Sequence, residues 1–273
     1  MDEVTIIKPK KGWELIDLKE LLRYRDLLYF LTIRGIKAKY AQSVLGVGWA
    51  VIQPLAQTLI FTVVFGNLAK LDSDGVPYIL FSFVAMVPWN YFSNILTDSS
   101  NSLIQNKNML SKVYFPRIIL PLSSVFSKLI DFGIAFFVMV GLFFFYGYVP
   151  TIAVVYFPLF LIILIFTSLG AGMILSALAV QYRDVQYAMT FLVRLLMYGA
   201  PVVYSISIIP EKYQLLYALN PMVGVIEGMR AAFLGTKSMP WDLLFIGGII
   251  SLVLFVFGAL YFKKMERRFA DLA

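Results

Sequence analysis

Six apolar blocks, each about twenty residues or longer, alternate with short polar stretches along this chain. They run Trp49–Leu68, Val76–Leu96, Val125–Tyr146, Ile152–Ala179, Val185–Ser205 and Leu243–Phe262. About 20 mostly apolar residues suffice for a helix to cross a bilayer, and a helix satisfies its own backbone there. The pattern predicts an all-α integral membrane protein with six transmembrane helices. Pro54, Pro88 and Pro201 fall inside the first, second and fifth blocks. Each removes a helix hydrogen bond and is expected to kink its helix.

Two segments depart from the simple alternation. Leu15, Leu18, Leu22 and Tyr29 share one helical stripe, widened by Leu21 and Leu28. Asp17, Glu20 and Arg23 lie opposite, and Arg25 interrupts the stripe. This predicts an amphipathic helix lying in the membrane interface, with Arg34, Lys37 and Lys39 reaching anionic headgroups. The same pattern also suits a helix packed on the protein's own face.

The second segment, from Ser205 to Trp241, is apolar but interrupted. Pro210 can start a short helix, Asn220-Pro221 breaks it, and Met222–Leu234 reads as a second helix with Gly235 as its stop. Neither piece is long enough to cross. A re-entrant outer hairpin between helices five and six is therefore expected. Asn220, Pro221, Glu227 and Arg230 are its candidate gate residues, and Glu227 and Arg230 are spaced to pair.

The distribution of charge then orients the helices. Before the first block, in the loop after the second block and its continuation to Lys128, at Arg183 after the fourth block and in the tail, eighteen Lys and Arg fall on one side; Lys70, Lys212, Arg230 and Lys237 fall on the other. That asymmetry places both termini in the cytoplasm. Residues 1–43 read as a cytoplasmic N-terminal segment, 44–265 as the transmembrane domain and 266–273 as a cytoplasmic tail. The net charge of +7 is thus explained by topology, with no nucleic-acid partner. The start, MDEVTIIKPKKGW, lacks the apolar core of a cleaved signal peptide.

Composition narrows the chemistry. The chain has no cysteine and no histidine, which excludes thiolate metal sites and the commonest general base. It has no G-x-x-x-x-G-K-[ST] phosphate loop, no G-x-S-x-G, no H-E-x-x-H and no C-x-x-C. Gly170-Ala171-Gly172 suits close helix packing. Asp131 and Arg194 are the charged residues that read as deep inside the blocks, each costing roughly 2.5–3.5 kcal/mol at a helix centre unless partnered. Their similar depth allows an Asp131–Arg194 pair; the alternative pairs Asp131 with Lys128, one turn away. Most of the 24 Phe are expected to pack or face lipid. Tyr91, Tyr187, Tyr198 and Tyr204, with hydroxyls that lipid disfavours, are candidates for a polar substrate path.

Several motifs occur together in order. Lys39-Tyr40, Ser43-Val44-Leu45-Gly46, Trp49 and Gln53-Pro54-Leu55 precede and open the first block. The stretch NSLIQNKNMLSKVYFPR covers Asn101 to Arg117 and is followed by Leu120-Pro121. Tyr182-Arg183-Asp184-Val185, Pro201-Val202-Val203-Tyr204 and Asn220-Pro221 complete the set. Over nearly its whole length the chain resembles the ABC-2 type permeases of bacterial polysaccharide exporters, which move lipid-linked O-antigen or teichoic acid.

The resemblance implies a homodimer in the bacterial cytoplasmic (inner) membrane, with a channel at the subunit interface. It implies two copies of a separate ABC ATPase, which would carry ATP and Mg; this chain itself would bind no cofactor and would not be an enzyme. It also implies that the loop between spans two and three holds the coupling helix, within Asn101–Lys112. Asn101, Leu103, Asn106, Met109, Leu110 and Lys112 are then expected to dock on the ATPase, with Met109 and Leu110 as apolar pegs. Tyr182, Arg183 and Asp184 would form a smaller second contact; the plainer reading is a charged turn with an internal Arg183–Asp184 interaction. An ABC-2 permease for drugs or small lipids is the nearest rival. An ion-coupled transporter would place more ionisable residues in its spans.

Overall fold

The computed structural model describes residues 18–41 and 43–266. Leu15 of the apolar stripe and Asp17 of the opposite face lie outside the described residues, as do Lys8, Lys10 and Lys11 and all but the first residue of the 266–273 tail. The described residues form helices and no strand.

In chain order the helices are α1 (Leu18–Arg23), α2 (Arg25–Tyr40), α3 (Gly48–Phe61), α4 (Tyr78–Gln105), α5 (Lys107–Leu110) and α6 (Ile119–Tyr146). They continue with α7 (Phe157–Gln181), α8 (Asp184–Tyr198), α9 (Glu211–Tyr217), α10 (Pro221–Leu234) and α11 (Trp241–Glu266). A π-helical segment, Thr62–Leu68, extends α3, and a 3-10 turn, Ile152–Tyr156, leads into α7. Five of these segments are long and apolar enough to cross a membrane: Gly48–Leu68, Tyr78–Gln105, Ile119–Tyr146, Ile152–Gln181 and Trp241–Glu266.

The fifth expected block behaves differently. Its helix, α8, stops at Tyr198 after 15 residues, a length of about 22 Å against a hydrocarbon core of about 30 Å. Gly199 ends it, and Pro201 sits in the following turn instead of inside a kinked helix. Pro54 and Pro88 do lie inside α3 and α4.

α4 is the hub. It packs against α3, α6, α7, α8 and α10. Its apolar window is 83% buried, compared with 17% for the first crossing segment, so its surroundings are protein and not an outer shell. Phe81, Phe83, Met86 and Ile95 are completely buried along it. Beside it, Phe132, Phe136, Phe143, Phe157 and Phe233 interleave edge-on and stacked. These rings fill the core, as the packing reading of Phe expects.

Small residues set the closest helix crossings. A Cβ on Gly258 would stand 2.4 Å from the Gly170 carbonyl oxygen, so α7 and α11 meet backbone to backbone. Gly172, two residues on, faces Ser99 of α4, where a Cβ would stand 2.8 Å from the hydroxyl. The Gly170-Ala171-Gly172 triplet thus seats α7 between two neighbours.

Within the segment 205–241 the helix boundaries fall where the sequence predicts them. Pro210 precedes α9. The Asn220 side chain accepts a hydrogen bond from the Met222 amide at 3.1 Å, Pro221 occupies the first turn, and Gly235 closes α10 with φ +67°. All 14 residues of α10 are buried, against α4, α7 and α11.

At the N-terminal side, Tyr24 breaks the predicted amphipathic helix into α1 and α2. Leu18, Leu22 and Tyr29 remain exposed, whereas Leu21, Tyr24, Leu27 and Leu28 pack inward and Leu31 is buried. The element therefore presents apolar side chains both toward the protein and away from it.

Candidate functional site

The polar stretch after α4 places the expected docking residues unevenly. Asn101 to Gln105 continue α4 itself, and only Lys107–Leu110 form a separate short helix, α5. Leu103 is 2% exposed inside the core, which corrects its assignment as a docking residue. Met109 and Leu110 are half-buried against the protein's own core, so they are already partly used as pegs. The apolar surface left open here belongs to Ile104, Val113 and Tyr114, which the sequence reading missed. Their signal was an apolar side chain in a polar stretch, and for Val113 and Tyr114 it was hidden by the following Phe115-Pro116, which is buried.

Hydrogen bonds tie this stretch to its surroundings. Arg34 of α2 donates to the Asn106 side-chain carbonyl at 3.3 Å, and Asn106 donates back to the Ser102 carbonyl. Gln186 of α8 donates to the Asn101 side chain at 2.7 Å, joining the two expected contacts, 101–112 and 182–184. Tyr24 donates to the Tyr114 carbonyl and the Tyr114 hydroxyl to Glu20. Burial first, then Glu20 and Glu266, raises the Tyr114 hydroxyl above the ordinary tyrosine range. The Arg117 guanidinium donates to the Glu266 carbonyl at 2.6 Å, anchoring the start of α6 to the end of α11. Lys112, Tyr182, Arg183 and Asp184 are exposed. No ion pair forms between Arg183 and Asp184 among the described residues, which sets aside the internal interaction.

α8 is barely embedded, with Met189 its one buried residue. Tyr187, Thr190, Arg194 and Tyr198 recur at helical spacing and are all exposed, Tyr187 at 82% and Tyr198 at 55%. Two of the four candidate path tyrosines therefore share one open face. Tyr204 lies at its end, donating to the Tyr198 carbonyl and meeting the Tyr217 hydroxyl. Tyr91 is elsewhere, buried on α4 with its hydroxyl toward the Val125 carbonyl.

Asp131 pairs with neither expected partner. Lys39 donates to it at 2.6 Å and Tyr40 donates to its other oxygen, fastening the end of α2 to α6. Lys128 pairs instead with Asp98 of α4 at 2.6 Å. Arg194 has no polar partner among the described residues. Equal depth does not select a partner, and the competing cation, Lys39, comes from a segment outside the apolar blocks. Burial, then the hydrogen bond and charge of Asp131, raises the Tyr40 hydroxyl, which stays protonated as a donor.

At the other end, Glu227 and Arg230 form the expected pair at 2.8 Å, with both side chains nearly inaccessible. Arg230 also donates to the carbonyls of Val202 and Tyr204, and more weakly to that of Phe81. Its guanidinium therefore joins α10, α4 and the turn after α8. Asn220 caps α10 and donates to the Gly199 carbonyl, tying the start of α10 to the end of α8, and Pro221 is buried. Nearby, Lys237 pairs with Asp74 at 2.9 Å, and Ser205 donates to the same carboxylate.

These features agree with the likeness to known proteins. Residues 26–234 match the ABC-2 type transporter family. The chain is 31% identical over 256 residues to the O-antigen export system permease protein RfbA of Myxococcus xanthus, covering 93% of this chain and 98% of that one. It is 31% identical over 250 residues to the RfbA of Klebsiella pneumoniae, covering 90% and 95%. The polysialic acid transport protein KpsM of Escherichia coli is more distant, 23% identical over 242 residues, covering 86% and 92%. The chain belongs to the ABC-2 type transporter family.

Proposed function

We propose that this chain is the permease subunit of an ATP-driven exporter that carries a lipid-linked polysaccharide across the bacterial cytoplasmic membrane. The observation that carries this reading is the open face of α8. Tyr187, Thr190, Arg194 and Tyr198 put hydroxyls, an aromatic row and a cation on a helix between apolar neighbours. Facing lipid, such a row would be expensive. Lining a path at the interface of two copies, it would meet water and sugar. The near-complete coverage of two relatives named as O-antigen export permeases supports this cargo over drugs or small lipids.

In this reading α8 and the turn that follows make a fifth crossing, giving six, with both termini cytoplasmic. α10 enters from the outer side and returns as a re-entrant hairpin. Two copies assemble, and two ABC ATPase subunits, which hold ATP and Mg, dock beneath them. Ile104, Val113 and Tyr114 add apolar contacts around Asn106, Met109, Leu110 and Lys112. Tyr182, Arg183 and Asp184 supply the second contact. Closure of the ATPases displaces α5, and because Asn101 and Gln186 are bonded, α4 and α8 move together.

Deleting the chain from its host should abolish surface polysaccharide while lipid-linked polymer accumulates inside. Co-purification should recover an ATPase with a phosphate-binding loop. Normal surface polysaccharide in the deletion strain, or a permease that neither binds nor stimulates an ATPase, would overturn the reading.

A further inference from the structure

Between α3, α4 and α6 a group of carboxamide side chains faces a common space. A cavity of about 470 Å³ lies between α3, α4 and α6. Gln53 and Gln57 reach it from α3, one turn apart, and Asn90 and Asn94 reach it from α4, also one turn apart. None of these four carboxamides has a hydrogen-bond partner among the described residues. Pro54 adds an acceptor: it has no N–H to offer the Ala50 carbonyl, and both residues line the cavity.

Unpartnered amides in an apolar segment are costly, so this arrangement calls for something that hydrogen-bonds to it. A carboxamide offers donors and an acceptor together. Four of them match a ligand whose groups also do both, which is the chemistry of sugar hydroxyls rather than of a cation or an alkyl chain. The volume falls within the roughly 300–1,000 Å³ of small-molecule sites.

A second cavity of about 290 Å³ shares lining residues with it: Lys39 and Lys128 border both. Their charges are matched by Asp131 and Asp98. Arg34, which also lines the second cavity, bonds only to the neutral Asn106 among the described residues. The cleft therefore has one uncompensated positive charge at its α2 end and a neutral, amide-rich interior.

We propose that this cleft is a binding site for a lipid headgroup in which a phosphate is joined to a sugar. The phosphate sits beside Arg34, and the first sugar lies on Gln53, Gln57, Asn90 and Asn94. The assignment rests on the export reading, in which the cargo presents a lipid-borne sugar; a sugar-bearing phospholipid offers the same sugar-phosphate chemistry.

The test is native mass spectrometry of the full chain with three probes: a polyprenyl diphosphate carrying one N-acetylhexosamine, the same lipid without sugar, and phosphatidylglycerol. The unaltered chain should prefer the sugar-bearing probe over the bare lipid by about tenfold. Gln53→Leu with Asn90→Leu should remove that preference while binding of the bare lipid persists, which also reports folding. If the double variant does not insert, Asn94→Leu reads the same preference. Arg34→Gln should weaken both polyprenyl probes about tenfold. Phosphatidylinositol as a fourth probe distinguishes the sources: strong competition by it assigns the site to membrane lipid, with the same sugar-phosphate chemistry. No sugar preference in the unaltered chain, an unchanged preference in the amide variants, or equal competition by phosphatidylglycerol would overturn the proposal. Binding needs no ATPase, so its failure leaves the export reading standing; intact binding in a chain that supports no export would count against export alone.

Discussion

Arg230 stands 3.5 Å from the centre of the Phe81 ring and donates to the carbonyl of that same residue. The contact combines a cation over an aromatic face with a hydrogen bond into the hub helix. With Glu227 it leaves no charge in this part of the core unmatched. Arg230→Ala leaves Glu227 buried and alone, which should cost about 3–5 kcal/mol and strip most folded protein from detergent extracts. Arg230→Ala combined with Glu227→Gln should recover part of the loss, read as thermal stability by fluorescence-detected size exclusion.

Lys39 and Asp131 are part-buried partners, and their bond links α2 to α6. A double-mutant cycle between Lys39→Met and Asp131→Asn should give a coupling of about 1–2 kcal/mol. A cycle between Asp131 and Arg194 should give less than about 0.5 kcal/mol, because the two are not in contact. Charge reversal at 131 and 194 together should therefore rescue nothing.

Docking should depend on Val113 and Tyr114 more than on Leu103. Val113→Asp alters an exposed side chain, so membrane insertion and stability should stay within about 0.5 kcal/mol of the unaltered chain, whereas Tyr114→Ser also gives up the bond to Glu20 and should cost about 0.5–1.5 kcal/mol. ATPase capture in a pull-down should fall at least several-fold. Leu103→Asp buries a carboxylate in the core and should reduce the amount of folded permease instead.

Glycines divide sharply between crowded and open positions. Gly258→Ala forces a Cβ into the Gly170 backbone and should destabilise by about 1–3 kcal/mol, read as a lowered midpoint of thermal unfolding. Gly133→Ala and Gly141→Ala on α6 meet nothing within 4 Å and should be neutral or stabilising by up to about 1 kcal/mol.

How much of this was legible beforehand depends on the range of the interaction. Asn220, Pro221 and Gly235 act on their own backbone, and the α10 boundaries could be read from them directly. The i,i+3 pair of Glu227 and Arg230 is equally local. Asp131 shows the opposite case. Its partners are more than ninety residues away in sequence, and apolar periodicity holds no information about which cation a carboxylate meets. The short α8 shows a third. Hydropathy continues past Tyr198, but Gly199 and the turn through Pro201 end the helix regardless. Leu103 looked available because its neighbours are polar, whereas α4 continues as a helix to Gln105 and turns that side chain into the core.

The hub position of α4 gives it a mechanical identity. From Phe81 to Gln105 it is a single rod about 36 Å long, with the Arg230 junction near one end and the α5 turn at the other. A helix gripped on most sides by protein resists bending and shifts along its axis or tilts as one body. Force applied at α5 is therefore carried up the rod as far as Pro88 with little lost, and Pro88, which has no amide hydrogen to donate, is the natural elbow where the rod can yield below the Arg230 junction.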